Sequence, residues 1–272
     1  FKKLLLFGAV FLFLDMRNSP IGVFDSGVGG LSVFHALREL LPNEEIIYVA
    51  DQAFAPYGKR TKSEIQNRSE IISEWLIAKG CKLIVVACNT ATTNAIAHLR
   101  ESFSVPFVGI EPAIKPAALG SKTGVVGVLA TEGTLSSELF QTTAQDHAKD
   151  IDVISQIGHG LVALVESGKA TSLEAERQLQ NDLAPMLEKP IDHLVLGCTH
   201  YPFLRQALGR ILPKNVTIVD CSNAVAKQTH RLLEQHQLLH NGRGDTTYFS
   251  TQYPDKKLWK LFGVDDVSQI DI

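Results

Sequence analysis

Two short segments of the chain share one design: Val85-Val86-Ala87-Cys88-Asn89-Thr90 and Val195-Leu196-Gly197-Cys198-Thr199-His200. Each closes an apolar run with a lone cysteine, followed by side chains that hydrogen-bond small polar ligands. A free thiol has a pKa of about 8.5 and is a base only as the thiolate, so one such group can accept a proton in one state and donate it in the other. Two of them on opposite walls of a cleft suit a reaction in which one sulfur removes a proton and the other returns one from the opposite face. His200 stands two residues beyond Cys198, where an imidazole can set a thiol's protonation state, and Asp25 can act in the same way on Cys88. The other two cysteines read differently. Cys81 precedes an apolar strand without polar companions and Cys221 has no matching second segment, so both are expected to fill space. The four cysteines form no C-x-x-C pair and no metal site is expected; strand-end thiols beside polar residues imply a reducing compartment rather than disulfides.

Thiols at strand ends need strands to hold them. From residue 21 almost to the end, apolar runs of strand length alternate with helical patterns, the signature of mostly parallel sheets flanked by helices, an α/β fold. Strands are predicted at 21–24, 46–50, 83–87, 107–110, 124–130 and 217–219, and helices at 31–41, 92–103, 135–146, 203–211 and 223–235. Thr61-Lys62-Ser63-Glu64 has capping-box form and opens a further helix that Gly80 stops. Glu166 continues a short helical pattern from Leu161 and reads as a solvated position. Strand, small-residue turn and helix occur at Asp25 and again at Thr131, and strand-then-cysteine occurs at Cys88 and again at Cys198, at similar offsets. This predicts two similar domains with the active site in the cleft between them: 16–113 with 223–272 as the first, and 114–222 as the second, the segment 115–122 being read as a boundary. The tail, with a strand at Tyr248-Phe249, is expected to pack back on the first half.

With 272 residues and 45% hydrophobic content the chain can bury a sizeable core, and a formal net charge of -3 offers no global basic surface, so nucleic acid is not an expected partner. Lys2-Lys3 and the apolar run 4–14 resemble the start of a signal peptide, but no A-x-A site follows and the run is too short to span a membrane. Residues 1–15 are therefore read as an extension outside the fold, with Met16 as the start, and no membrane partner is expected. The glycines of Gly22-Val23-Phe24-Asp25-Ser26-Gly27-Val28-Gly29-Gly30 follow a strand and open a helix, as a phosphate-binding loop does, and Asp51 lies near where a ribose-binding acid would fall. The G-x-G-x-x-G spacing fails at Ser32. A nucleotide cradle, a purely structural turn and substrate binding are all open, the last being favoured, with Asp25 and Ser26 facing the cleft.

Taken in order, D-S-G-V-G-G-L-S at 25–32, P-Y-G at 56–58, A-C-N-T-A at 87–91, G-L-V-A-L-V-E at 160–166 and G-C-T-H-Y-P at 197–202 resemble the glutamate racemases of the aspartate/glutamate racemase superfamily. The resemblance implies a cytoplasmic homodimer that needs no cofactor and interconverts L- and D-glutamate by proton transfer at Cys88 and Cys198, supplying D-glutamate for peptidoglycan. By motif match, Asp25, Ser26, Pro56, Tyr57, Gly58, Asn89, Thr90, Thr134, Thr199 and His200 would contact the substrate, and Asp25, Glu166 and His200 would assist the thiols. The match is looser in the threonine loop, Ala130-Thr131-Glu132-Gly133-Thr134. Three alternatives stand beside it. One is racemisation of aspartate or another amino acid by the same chemistry. Another is a hydrolase with Cys198 as nucleophile and His200 as base, for which a two-residue separation is poor geometry. The third is a non-catalytic nucleotide-binding module built on the glycine turn.

Overall fold

The computed structural model describes residues 16–147 and 151–272. The predicted extension 1–15 lies outside the described residues. Strands β1 (Ile21–Asp25), β2 (Ile46–Ala50), β3 (Leu83–Val86) and β4 (Phe107–Gly109) form one sheet in the order β2-β1-β3-β4, extended at the β2 edge by β9 (Thr246–Ser250) and β10 (Ser268–Gln269). Strands β5 (Val125–Ala130), β6 (Asp152–Ile157), β7 (His193–Gly197) and β8 (Thr217–Val219) form a second sheet in the order β6-β5-β7-β8. Every neighbouring pair is parallel. Continuous apolar strands such as Leu83-Ile84-Val85-Val86 are buried throughout because helices cover both faces of a parallel sheet. The four common strands follow the same order in each sheet, so β1 corresponds to β5 and β3 to β7. The tail does pack on the first half, with β9 lying parallel to β2.

After β1 comes helix α1 (Leu31–Leu40), and α2 (Lys62–Ala78) begins with the predicted capping box, in which the Thr61 and Glu64 side chains and backbone N–H groups bond reciprocally, and Gly80 follows at φ +84°. Elsewhere the structure departs from the pattern. The helix α3 (Asn89–Ser102) starts three residues before the predicted 92 and takes Cys88 as its N-cap, its sulfur replacing the usual capping oxygen. The segment expected to be a boundary is itself helical, α4 (Ile114–Gly120), with Pro116 in the first turn, where its missing N–H costs nothing. The helix predicted at 135–146 is split into α5 (Glu132–Leu135) and α6 (Glu138–His147). α7 (Leu161–Glu166) is one and a half turns long, and the unpredicted α8 (Leu173–Leu187) packs beside it.

Candidate active site

The carboxyl ends of β1, β3, β5 and β7 converge on one cavity of about 320 Å³, the place where parallel α/β sheets bind ligands. The first half contributes Ser26, Pro56-Tyr57-Gly58 and Cys88-Asn89-Thr90, and the second contributes Thr131, Gly158-His159-Gly160 and Cys198-Thr199-His200. The predicted contacts are therefore assembled, with two exceptions. Asp25 and Thr134 are fully buried and stand behind the cavity wall. Their side chains bond within the protein, Asp25 to the Gly27 N–H and the Thr199 hydroxyl, and Thr134 to Thr90 and Thr131.

The glycine turn after β1 explains how the second half docks so closely. A Cβ at Gly27 would fall 1.9 Å from Glu166 Oε1, and one at Gly29 would fall 2.2 Å from His200 Nδ1. Glycine is needed because these side chains occupy the space. The Val28 N–H then donates to Glu166 Oε1 at 2.7 Å, and the Ser32 hydroxyl donates to the Thr199 carbonyl at 2.9 Å. The turn serves protein carboxylate and carbonyl groups rather than a phosphate. Asp51 likewise is occupied: it accepts a bidentate pair from Arg68 at 2.8 and 3.1 Å, the Tyr57 hydroxyl at 2.5 Å and the Thr251 hydroxyl at 2.8 Å. That disposes of its reading as a ribose-binding acid. It also means that Tyr57 offers its ring and backbone to the cavity while its hydroxyl is bonded to Asp51.

The two thiols have unlike surroundings. Cys88 Sγ accepts from the Ala91 N–H at 3.4 Å and donates toward Ser26 Oγ at 3.9 Å. Burial pushes this thiol well above the ordinary cysteine range, and the nearby Asp25 carboxylate pushes the same way. Cys198 Sγ lies 3.7 Å from His200 Nδ1, whose other nitrogen is 2.6 Å from Glu166 Oε1. Burial alone would lower the His200 pKa, but its bonds to Cys198 and Glu166 outweigh that and hold it well above the usual histidine range. Burial would raise Glu166, yet the His200 hydrogen bond and charge, with donors from Gln52 and Val28, bring it below the ordinary carboxylate value. The resulting line is carboxylate, imidazolium, sulfur. Asp25 behaves oppositely. Burial lifts it to about 6 against the pull of His200, the Gly27 N–H at 2.8 Å and the Thr199 hydroxyl at 3.0 Å.

Cys81 and Cys221 are buried with their thiols pushed up to about 12, chiefly by burial, as expected of space-filling sulfurs. Thr90, Thr131 and Thr134 form a hydroxyl triangle with sides of 2.9, 3.0 and 3.3 Å that joins the two halves. Asn89 lines the cavity wall, and its buried side chain stands beside Cys221. Glu166, whose local pattern reads as solvated and which only the resemblance singled out, is a central anchor. Two features were missed from sequence: Gln52, which holds Glu166, and His159, between two glycines. No helix among the described residues is long and apolar enough to cross a membrane.

Two parallel α/β sheets that each bring a thiol to a shared cavity are joined by a family match: the Asp/Glu/Hydantoin racemase family profile covers residues 21–229. The chain belongs to that family. It is 48% identical over 227 residues to the glutamate racemase of Ectopseudomonas mendocina (strain ymp), covering 83% of this chain and 86% of that one. It is 50% identical over 224 residues to the glutamate racemase of Herpetosiphon aurantiacus, covering 82% and 88%. Among solved structures, that of Escherichia coli glutamate racemase in complex with L-glutamate and the activator UDP-MurNAc-ala superposes with a TM-score of 0.84 at 33% identity, covering 93% of this chain and 98% of that one.

Proposed function

We propose that this protein interconverts L- and D-glutamate by a two-thiol proton transfer between Cys88 and Cys198. The observation that carries this reading is that the two cysteines stand after corresponding strands of the two sheets and line one cavity, each with its own polar support. Relatives named as glutamate racemases, one of them solved with L-glutamate, support the choice of substrate. In the step, the thiolate on one side takes the α-hydrogen as a proton while the C–H electron pair stays on the α-carbon and spreads into the carboxylate. The thiol on the other side then gives its proton to the opposite face. The enzyme is left with its two sulfurs in exchanged protonation states, and solvent exchange resets them. Asn89 and the hydroxyls of Thr90 and Thr131 supply hydrogen bonds for carboxylate charge as it builds.

Cys88, pushed up by burial and Asp25, suits the protonated role at rest, and the His200 imidazolium complements a negative sulfur at Cys198. A hydrolase based on Cys198 would leave Cys88 and Asp25 without work. The same reading makes the protein a cytoplasmic homodimer that supplies D-glutamate for peptidoglycan. The test is a chiral product assay on L-glutamate, D-glutamate and L-aspartate with no added cofactor. Turnover of glutamate in both directions is expected, and turnover of aspartate alone overturns the substrate assignment.

A further inference from the structure

His159 lines the cavity but has no part in the proton transfer described above. It occupies the turn between β6 and α7, with a glycine on each side, and both glycines are needed. Gly160 has φ +69°, and a Cβ at Gly158 would lie 2.3 Å from the Tyr201 hydroxyl. The backbone is thus shaped to carry this one side chain to the opening, where it is 63% exposed. One edge of the ring is nevertheless fixed. His159 Nδ1 lies 3.1 Å from Asp182 Oδ1, and the His159 backbone N–H donates to Asp182 Oδ2 at 2.9 Å. Asp182, on α8, is buried and receives one further donor, Gln178 Nε2, at 3.0 Å.

A carboxylate only accepts hydrogen bonds, so Asp182 requires the proton on Nδ1 and leaves Nε2 as the free ring nitrogen. A carboxylate bound at that atom requires a proton there as well, so a ring that holds an anion at Nε2 carries an N–H on both nitrogens. The other charged side chains on the cavity are His200, already committed to Cys198 and Glu166, Lys59 next to Gly58, and Glu132 at the start of α5. A dicarboxylic amino acid is a net anion, and a donor at the opening supplies the charge complement that the neutral Asn89, Thr90 and Thr131 lack.

We propose that His159, oriented by Asp182, binds the substrate carboxylate nearer the opening and so helps select a dicarboxylic amino acid. This rests on the reading of the substrate as an anionic amino acid, and the experiment separates the two. H159N keeps an amide donor for Asp182 but removes Nε2, and H159K restores a cation without the Asp182 bond. With L- and D-glutamate, H159N is expected to raise KM about tenfold at low salt with kcat within about twofold of the parent, and to flatten the salt dependence of kcat/KM. H159K is expected to recover most of the loss in KM. H159A, which removes both ring nitrogens, reads the same quantities should H159N fold poorly. A parental KM and salt dependence in H159N, or a fall in kcat alone, overturns the proposal, the second result marking the His159–Asp182 contact as a structural staple. Absence of glutamate turnover in the parent protein overturns the substrate reading instead.

Discussion

Chemically identical thiols acquire different habits here because a carboxylate stands near one and an imidazolium beside the other. The Asp25 charge raises Cys88, so removing it must lower Cys88. The substitution Asp25→Asn is therefore expected to move the pH dependence of Cys88 alkylation by iodoacetamide toward acid, and to reduce kcat by about 10²-fold as the thiol loses its matched partner. Below pH of about 6 the parent's own Asp25 takes up a proton, so the two alkylation profiles should converge there. Identical profiles across the range would remove Asp25 from the proton-transfer scheme. The substitutions Cys88→Ala and Cys198→Ala each delete one of the two proton carriers, and each is expected to cost at least about 10³-fold in racemisation in both directions, read by chiral chromatography. The cysteines were legible in the sequence because a lone thiol after an apolar run and before polar residues is a local pattern. Glu166 was singled out only by the resemblance, because its hydrogen bonds come from Val28 and Gln52, more than a hundred residues away, and periodicity within a short helix cannot separate a solvated glutamate from an anchored one.

Among the elements, the segment Pro56-Tyr57-Gly58 has no sheet or long helix to fix it, and the ion pair between Asp51 and Arg68 takes that place. Arg68 reaches from α2 to the end of β2, with the Phe54 ring 4.0 Å from its guanidinium, and Tyr57 bonds to the same carboxylate. The substitution Arg68→Met would leave Asp51 buried with only two hydroxyl donors, an uncompensated charge expected to cost about 3 kcal/mol of stability in urea unfolding. Tyr57→Phe removes a single bond to that charge and is expected to cost about 1 to 2 kcal/mol with KM for glutamate changed by less than about twofold. A large rise in KM would show that the hydroxyl meets the substrate after all. Sequence patterns revealed most of the elements because continuous apolar runs and capping signals are local. They missed β6, whose residues are only partly buried at the sheet edge, and α8, which carries a proline inside a largely polar helix. Asp51 was visible as an acid at a strand end, but its partners come from a helix and from the distant tail, which no local pattern reports.

At the scale of the whole molecule, the matching orders β2-β1-β3-β4 and β6-β5-β7-β8 turn one design into a two-sided site, with one thiol delivered by each sheet. The repeat was readable from the recurrence of strand, turn and cysteine; the facing of the two copies depends on packing between sheets, which the sequence does not display. Contacts across the halves, including Thr199 to Asp25 and Thr90 to Thr131, hold the two cysteine-bearing strand ends to one cavity. This makes a prediction about where hydrogen goes. If a single base served both faces, it would return to the product a proton it had just removed, or label substrate and product alike. With a separate sulfur on each face, the abstracting thiol keeps the substrate proton while the donating thiol has already equilibrated with solvent. Racemisation started from either enantiomer in deuterium oxide is therefore expected to give product with deuterium at the α-carbon from the first turnovers, while the remaining substrate stays unlabelled. Mass spectrometry of the separated enantiomers at low conversion reads this directly, and early label in the recovered substrate, or product that retains its original hydrogen, would mean that the two sulfurs do not divide the work between them.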